Sequence, residues 1–147
     1  MKSTIIAVAV LAMLCSTAAL AAEHFGVTVY PGAVADAEAK GYCAAFGPES
    51  IRQTRELFKD AKDGGSFCFH TADDFDKVVA YYRKLPGVEP LGSPSIRGAN
   101  KAMVFCKAGM QCASLGDGVD ISISTPWSVG KTVHKDVLIT LRKASKK

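Results

Sequence analysis

The sequence predicts an α+β domain: a largely antiparallel sheet packed against two or three helices and stapled by disulfides. Three observations predict it. Val119, Ile121 and Ile123 alternate with Asp120, Ser122 and Ser124, and Val137, Ile139 and Leu141 repeat that alternation, the two-residue period of strands with one buried and one wet face. Phe75, Val78, Val79, Tyr82 and Leu85 recur instead at helical spacing. Strand-like and helix-like runs come in blocks, without the regular strand–helix–strand repeat of a parallel sheet.

The chain of 147 residues opens on a segment unlike the rest. Lys2 precedes an apolar run from Ile5 to Leu14, and Ala19-Leu20-Ala21 supplies the small-x-small pattern of a signal-peptidase site. The run is shorter than the ~20 apolar residues of a spanning helix. Cys15 suggests a lipoprotein, but Leu14 stands where a lipidation signal wants a small residue, which favours cleavage without lipidation. The expectation is a signal peptide over 1–21 and a single α+β domain over 22–147, delivered to the periplasm or secreted. Export removes Lys2 alone from 18 basic residues and none of the 14 acidic ones, so the net charge falls from +4 to near +3. Lys131, Lys135, Arg142, Lys143, Lys146 and Lys147 face only Asp136, which predicts a solvated basic C-terminal tail. Nucleic acid is excluded as a partner by compartment, and no transmembrane segment is expected in the mature chain.

Along the mature chain, Phe25 to Tyr30 alternates like a strand ended by Pro31-Gly32. Ala33 to Phe46 reads as a helix broken near Gly41. Pro48 opens a second helical stretch through Phe58, which Lys62-Asp63-Gly64-Gly65 stops. Ser66 to Thr71 is a strand. Thr71-Ala72-Asp73-Asp74 caps the next helix, with Asp73, Asp74 and Asp76 near the positive end of its dipole, and Pro86-Gly87 ends it. A Pro/Gly/Ser-rich connection from Gly87 to Asn100 leads to three strands, the first over Ala102 to Cys106.

Once Cys15 has left with the signal, Cys43, Cys68, Cys106 and Cys112 remain, an even number in an exported domain, the pattern of disulfides. Three connectivities exist and sequence alone does not choose among them. Local geometry favours Cys106–Cys112, whose intervening residues include Gly109, and leaves Cys43 to meet Cys68. Zinc on Cys68, His70, Cys106 and Cys112 lacks paired-ligand spacing, and the gap between Cys106 and Cys112 does not match a thiol–disulfide catalyst.

Val29-Tyr30-Pro31-Gly32-Ala33, the Thr71-Ala72-Asp73 entry into Val78-Val79-Ala80-Tyr81-Tyr82-Arg83, and Pro126-Trp127 before Gly130-Lys131 and Asp136-Val137-Leu138-Ile139 give most of the mature chain a family look. It resembles a group of uncharacterised exported bacterial proteins with a Tyr-Pro-Gly-Ala start, a Thr-x-Asp helix entry and a late Pro-Trp segment. The resemblance implies a small envelope α+β domain, no known activity and no site residues. The cysteines are not part of its pattern.

No complete catalytic or cofactor motif is present, and no cofactor is expected. Gly130-Lys131-Thr132 imitates the end of a phosphate loop, but Thr125 stands where that loop needs glycine. His70 and His134 are lone histidines without an identifiable partner. Cleavage after Ala21 would place His24 third, where the amine, two amides and imidazole suit square-planar Cu(II) or Ni(II). Trp127 is expected to plug the edge of the core, or else to anchor a partner. The favoured function is a non-enzymatic binding or interaction domain in the envelope, contacting a protein or other envelope ligand through an exposed sheet face or the 87–100 loop. Alternatives are a periplasmic inhibitor or immunity-type protein, an enzyme built on His70, His134 or the Asp73–Asp76 cluster, and metal handling at the N-terminus.

Overall fold

A computed structural model describes residues 22–108, 112–113 and 116–146, so the expected signal peptide lies outside the described residues. In chain order the elements are β1 (Glu23–His24), β2 (Val27–Thr28), α1 (Ala37–Leu57), β3 (Ala61–Thr71), α2 (Phe75–Lys84), β4 (Val88–Pro90), β5 (Ser95–Arg97), β6 (Asn100–Lys107), β7 (Gly118–Thr125), β8 (Trp127–Val129), β9 (Thr132–His134) and β10 (Val137–Lys146). Six strands form one antiparallel sheet in the order β3-β10-β7-β6-β4, with β5 also on β6. The α+β class holds. Among the described residues no helix is long and apolar enough to cross a membrane.

One face of the sheet carries the main core. Phe69, Ile139, Leu141, Ile121, Ile123, Met103 and Phe105 pack there against Val78, Val79 and Tyr82 of α2 and against Val27, Val29 and Tyr30. Tyr82 is completely buried, and its hydroxyl accepts a hydrogen bond from the Tyr30 amide at 3.2 Å. The apolar stripe of α2 is the one the sequence predicts, but its cap differs. Asp74 stands at the N-cap without a side-chain hydrogen bond, while Asp73 accepts from the Tyr30 hydroxyl (2.7 Å) and from Lys77 (2.8 Å).

The opposite face is not wet, as alternation alone predicts. Helix α1 lies over its β3–β10 side, so Leu138, Thr140 and Arg142 of β10 are buried along with Ile139 and Leu141. The basic tail predicted from Lys131 is likewise replaced by structure, because Val137–Lys146 forms a strand between β3 and β7. Arg142, only 5% exposed, donates to Ser50 and Thr54 of α1 and lies 3.4 Å from Asp120. A guanidinium so supplied with acceptors is compatible with burial.

Three local expectations are corrected. The Phe25–Tyr30 strand is a hairpin, β1 against β2, turning at Phe25 and Gly26, which both take positive φ (55° and 73°). Gly26 is favoured there by its positive φ, and it leaves room for the Lys107 ammonium, which donates to the Phe25 carbonyl at 3.1 Å. The two helices expected over 33–58 are one, capped by Asp36 on the Ala39 amide, and neither Gly41 nor Pro48 breaks it. Packing on β3 outweighs both residues, although Pro48 cannot supply the amide that Ala44 would normally accept. The 87–100 connection is drawn onto the sheet as β4 and β5.

Cys43 of α1 and Cys68 of β3 stand at disulfide distance, S–S 2.01 Å with Cα atoms 5.7 Å apart, and Cys106 and Cys112 pair with Cα atoms 5.0 Å apart. The first pair closes the longer loop, 25 residues against 6. Replacing Cys43 and Cys68 together by alanine is expected to lower the unfolding free energy by about 3 kcal/mol, more than the same change at Cys106 and Cys112; paired urea titrations measure both. Tyr82→Phe strands the buried Tyr30 amide and should cost about 1–3 kcal/mol in the same assay.

Candidate functional site

Two neighbouring features are built around α1. The first is a cleft of about 560 Å³ at the outer edge of β3. Its α1 wall is made of Lys40, Cys43, Ala44, Gly47 and Pro48, and its β3 wall of Asp63, Ser66, Phe67, Cys68 and Phe69. From the hairpin, His24 closes the far side, stacked on Phe67 with ring centroids 3.9 Å apart. Phe67 keeps 40% of its surface exposed, high for a phenylalanine.

The second feature is a polar cluster at the start of α1. His70 projects from β3 on the same face as Cys68, and both ring nitrogens meet carboxylates: Nδ1 lies 2.5 Å from Asp136 and Nε2 2.9 Å from Asp36. Asp136 also accepts from the Trp127 indole at 2.7 Å, and Trp127 stacks on His134 at 4.1 Å. Asp36 serves both His70 and the helix cap. Its carboxyl is held below the usual aspartate value, first by the Ala39 amide and then by His70. Partial burial pulls the His70 pKa down, but hydrogen bonds to Asp136 and Asp36, with their charges, outweigh it and raise the pKa above the ordinary histidine value. The protonated ring donates to both carboxylates and so ties β3 to the beginnings of α1 and β10.

This arrangement is a clamp rather than an acid–base pair. A catalytic imidazole needs one nitrogen free for a substrate proton, and His70 has both engaged. His134 Nε2 is buried 3.4 Å from Glu38 Oε2 without hydrogen-bond geometry. Asp73 is bound to Tyr30 and Lys77, and Asp76 stands 3.7 Å from Lys101, so the aspartates around the start of α2 do not converge on either histidine.

The remaining sequence candidates fall in different places. Trp127 is 4% exposed and packs with Leu138, Cys68 and Ala39, the core position expected of it; a partner anchor would have to be uncovered first. His24 lies on the cleft, and a square-planar metal there would draw the ring off Phe67 and the Glu23 and His24 amides out of β1. Among the described residues no group of three His, Cys, Asp or Glu side chains is placed to hold a metal ion. Gly130 and Lys131 form the turn between β8 and β9 rather than a phosphate cradle. The His70 clamp was missed by sequence reasoning because its carboxylates lie 34 and 66 residues away with no local motif. No protein-family model, curated protein or solved structure matches the chain.

The clamp has a pH signature. A histidine whose folded pKa is raised contributes stability that is complete below its unfolded pKa of about 6.5 and is lost as pH rises through the folded value. The urea midpoint of the wild type should therefore fall between about pH 6 and pH 9. His70→Gln should flatten that decline, and an undiminished slope in the variant would remove His70 as its cause.

Proposed function

We propose that this is an exported, non-enzymatic binding domain whose ligand site is the cleft between α1 and the edge of β3. The observation that carries the proposal is the cleft itself: about 560 Å³, walled mainly by small and apolar side chains with Lys40 and Asp63 among them, and lined by the exposed Phe67 ring. That volume lies in the range of about 300–1,000 Å³ typical of ligand sites. Its cysteines are paired with each other, and Ser66 has no histidine hydrogen-bonded to it among the described residues. The lining therefore offers surface and shape without an activated nucleophile. Export is supported by the N-terminal sequence pattern and by cysteine pairs that persist in oxidising compartments.

The apolar anion 1-anilinonaphthalene-8-sulfonate is a suitable first probe. Titrated into uniformly ¹⁵N-labelled protein, it should shift the amides of His24, Ala44, Gly47 and Phe67 saturably. Phe67→Ser should weaken that binding about tenfold, the equivalent of ~1.4 kcal/mol. Saturable shifts confined to residues outside the cleft would overturn the assignment of the site.

A further inference from the structure

We propose that the occupant of this cleft is an extended segment of a partner polypeptide, added to the sheet as a strand along the free edge of β3; this rests on the cleft being the ligand site. β3 ends the sheet, with β10 on one side and no full strand on the other. Its outer edge is already used once. Val34 and His70 exchange both backbone hydrogen bonds, each at 2.9 Å, as an isolated antiparallel bridge. Peptide groups of successive residues in a strand point to opposite sides. With His70 facing outward, Phe67, Phe69 and Thr71 turn theirs toward β10, and Cys68 and Ser66 turn theirs away from it.

The chain does not continue the rung it starts. After Val34 it turns at Asp36 into α1, and beside the next two outward positions, Cys68 and Ser66, the cleft opens. No strand pairs with that edge of Cys68 or Ser66 among the described residues. Cys68 is only 3% exposed, whereas Ser66 is partly exposed, so the outward peptide group open to a ligand is that of Ser66. A purely apolar ligand would seal its donor and acceptor without partners, at the cost such burial carries. A peptide strand supplies the alternating amides and carbonyls they lack, and it extends the backbone interface begun by Val34.

The slot lies in the plane of the sheet, with α1 above it and the His24–Phe67 stack below. Residues of an inserted strand would therefore point alternately at Ala44, Gly47 and Pro48 and at the two rings. The first set of positions calls for small side chains, the second for apolar or aromatic ones. Lys40 and Asp63 also line the cleft, so the partner segment is a short extended run alternating small and large apolar residues, with polar groups where it passes those two charges.

The test is panning of a displayed random-octapeptide library on the oxidised, full mature protein, followed by synthesis of the enriched peptide. Bound peptide should slow hydrogen exchange at the Ser66 amide at least about tenfold, and N-methylation at alternate peptide positions should weaken binding by a similar factor while the intervening positions tolerate it. Ser66→Pro, which removes one outward amide, should lose the peptide and keep the dye. Dye binding in the cleft with no enriched peptide, or with a peptide that leaves the Ser66 amide unprotected, overturns the strand proposal and leaves the binding site standing. Absence of both dye and peptide shifts at the cleft overturns the site as well. A concentration-dependent dimer protecting the same amide would identify a second copy as the occupant, and that too overturns the proposal.

Discussion

The fold depends on a strand that is buried on both faces. β10 gives Ile139 and Leu141 to the core beneath α2, and Leu138, Thr140 and Arg142 to the layer beneath α1. Its registers with β3 and β7 place Cys68 beside Thr140 and Asp120 beside Arg142. Those pairings set where α1 can be fastened, through Cys43 to Cys68 and through Ser50 and Thr54 to Arg142. Without β10 neither helix would have a complete floor.

Helix α1 is held by unlike devices along its length. At its start, Asp36 links the cap to His70, and His70 links onward to Asp136 and Trp127. In the middle comes the sulfur pair, and toward its end the buried guanidinium. This distributed fastening explains how a helix with glycine at 41 and 47 and proline at 48 stays continuous: tertiary packing, rather than residue preference, decides its extent. The same small residues leave α1 thin where it passes the edge of β3, and the cleft occupies the space.

Much of this fold was legible in the sequence wherever one face of an element decides its fate. The α2 stripe from Phe75 to Tyr82 and the alternation in β7 follow from burial on one side, a local pattern. The second face of β10 was not legible, because Thr140 and Arg142 read as a polar face until a distant helix covers them together with Leu138. Arg142 looked like part of a basic tail for the same reason: its acceptors Ser50 and Thr54 lie about ninety positions earlier. The Phe25–Gly26 turn was hidden by β-forming residues on both sides of a single glycine. Of the candidate site, His24 and the cysteines were singled out for metal and disulfide chemistry, whereas Phe67, Gly47 and Pro48 carry no motif, and only the meeting of α1 with an edge strand gives them a common role.

The order of the strands has a consequence for how the molecule is made. β3 and β7 are never neighbours; β10, which follows both in the chain, is inserted between them. A polypeptide emerging amino-terminus first holds β3 and β7 apart until β10 arrives. Long-range pairing of that kind is intrinsically late. The chain thus stays threadable until β10 has emerged, and only then can its sheet close.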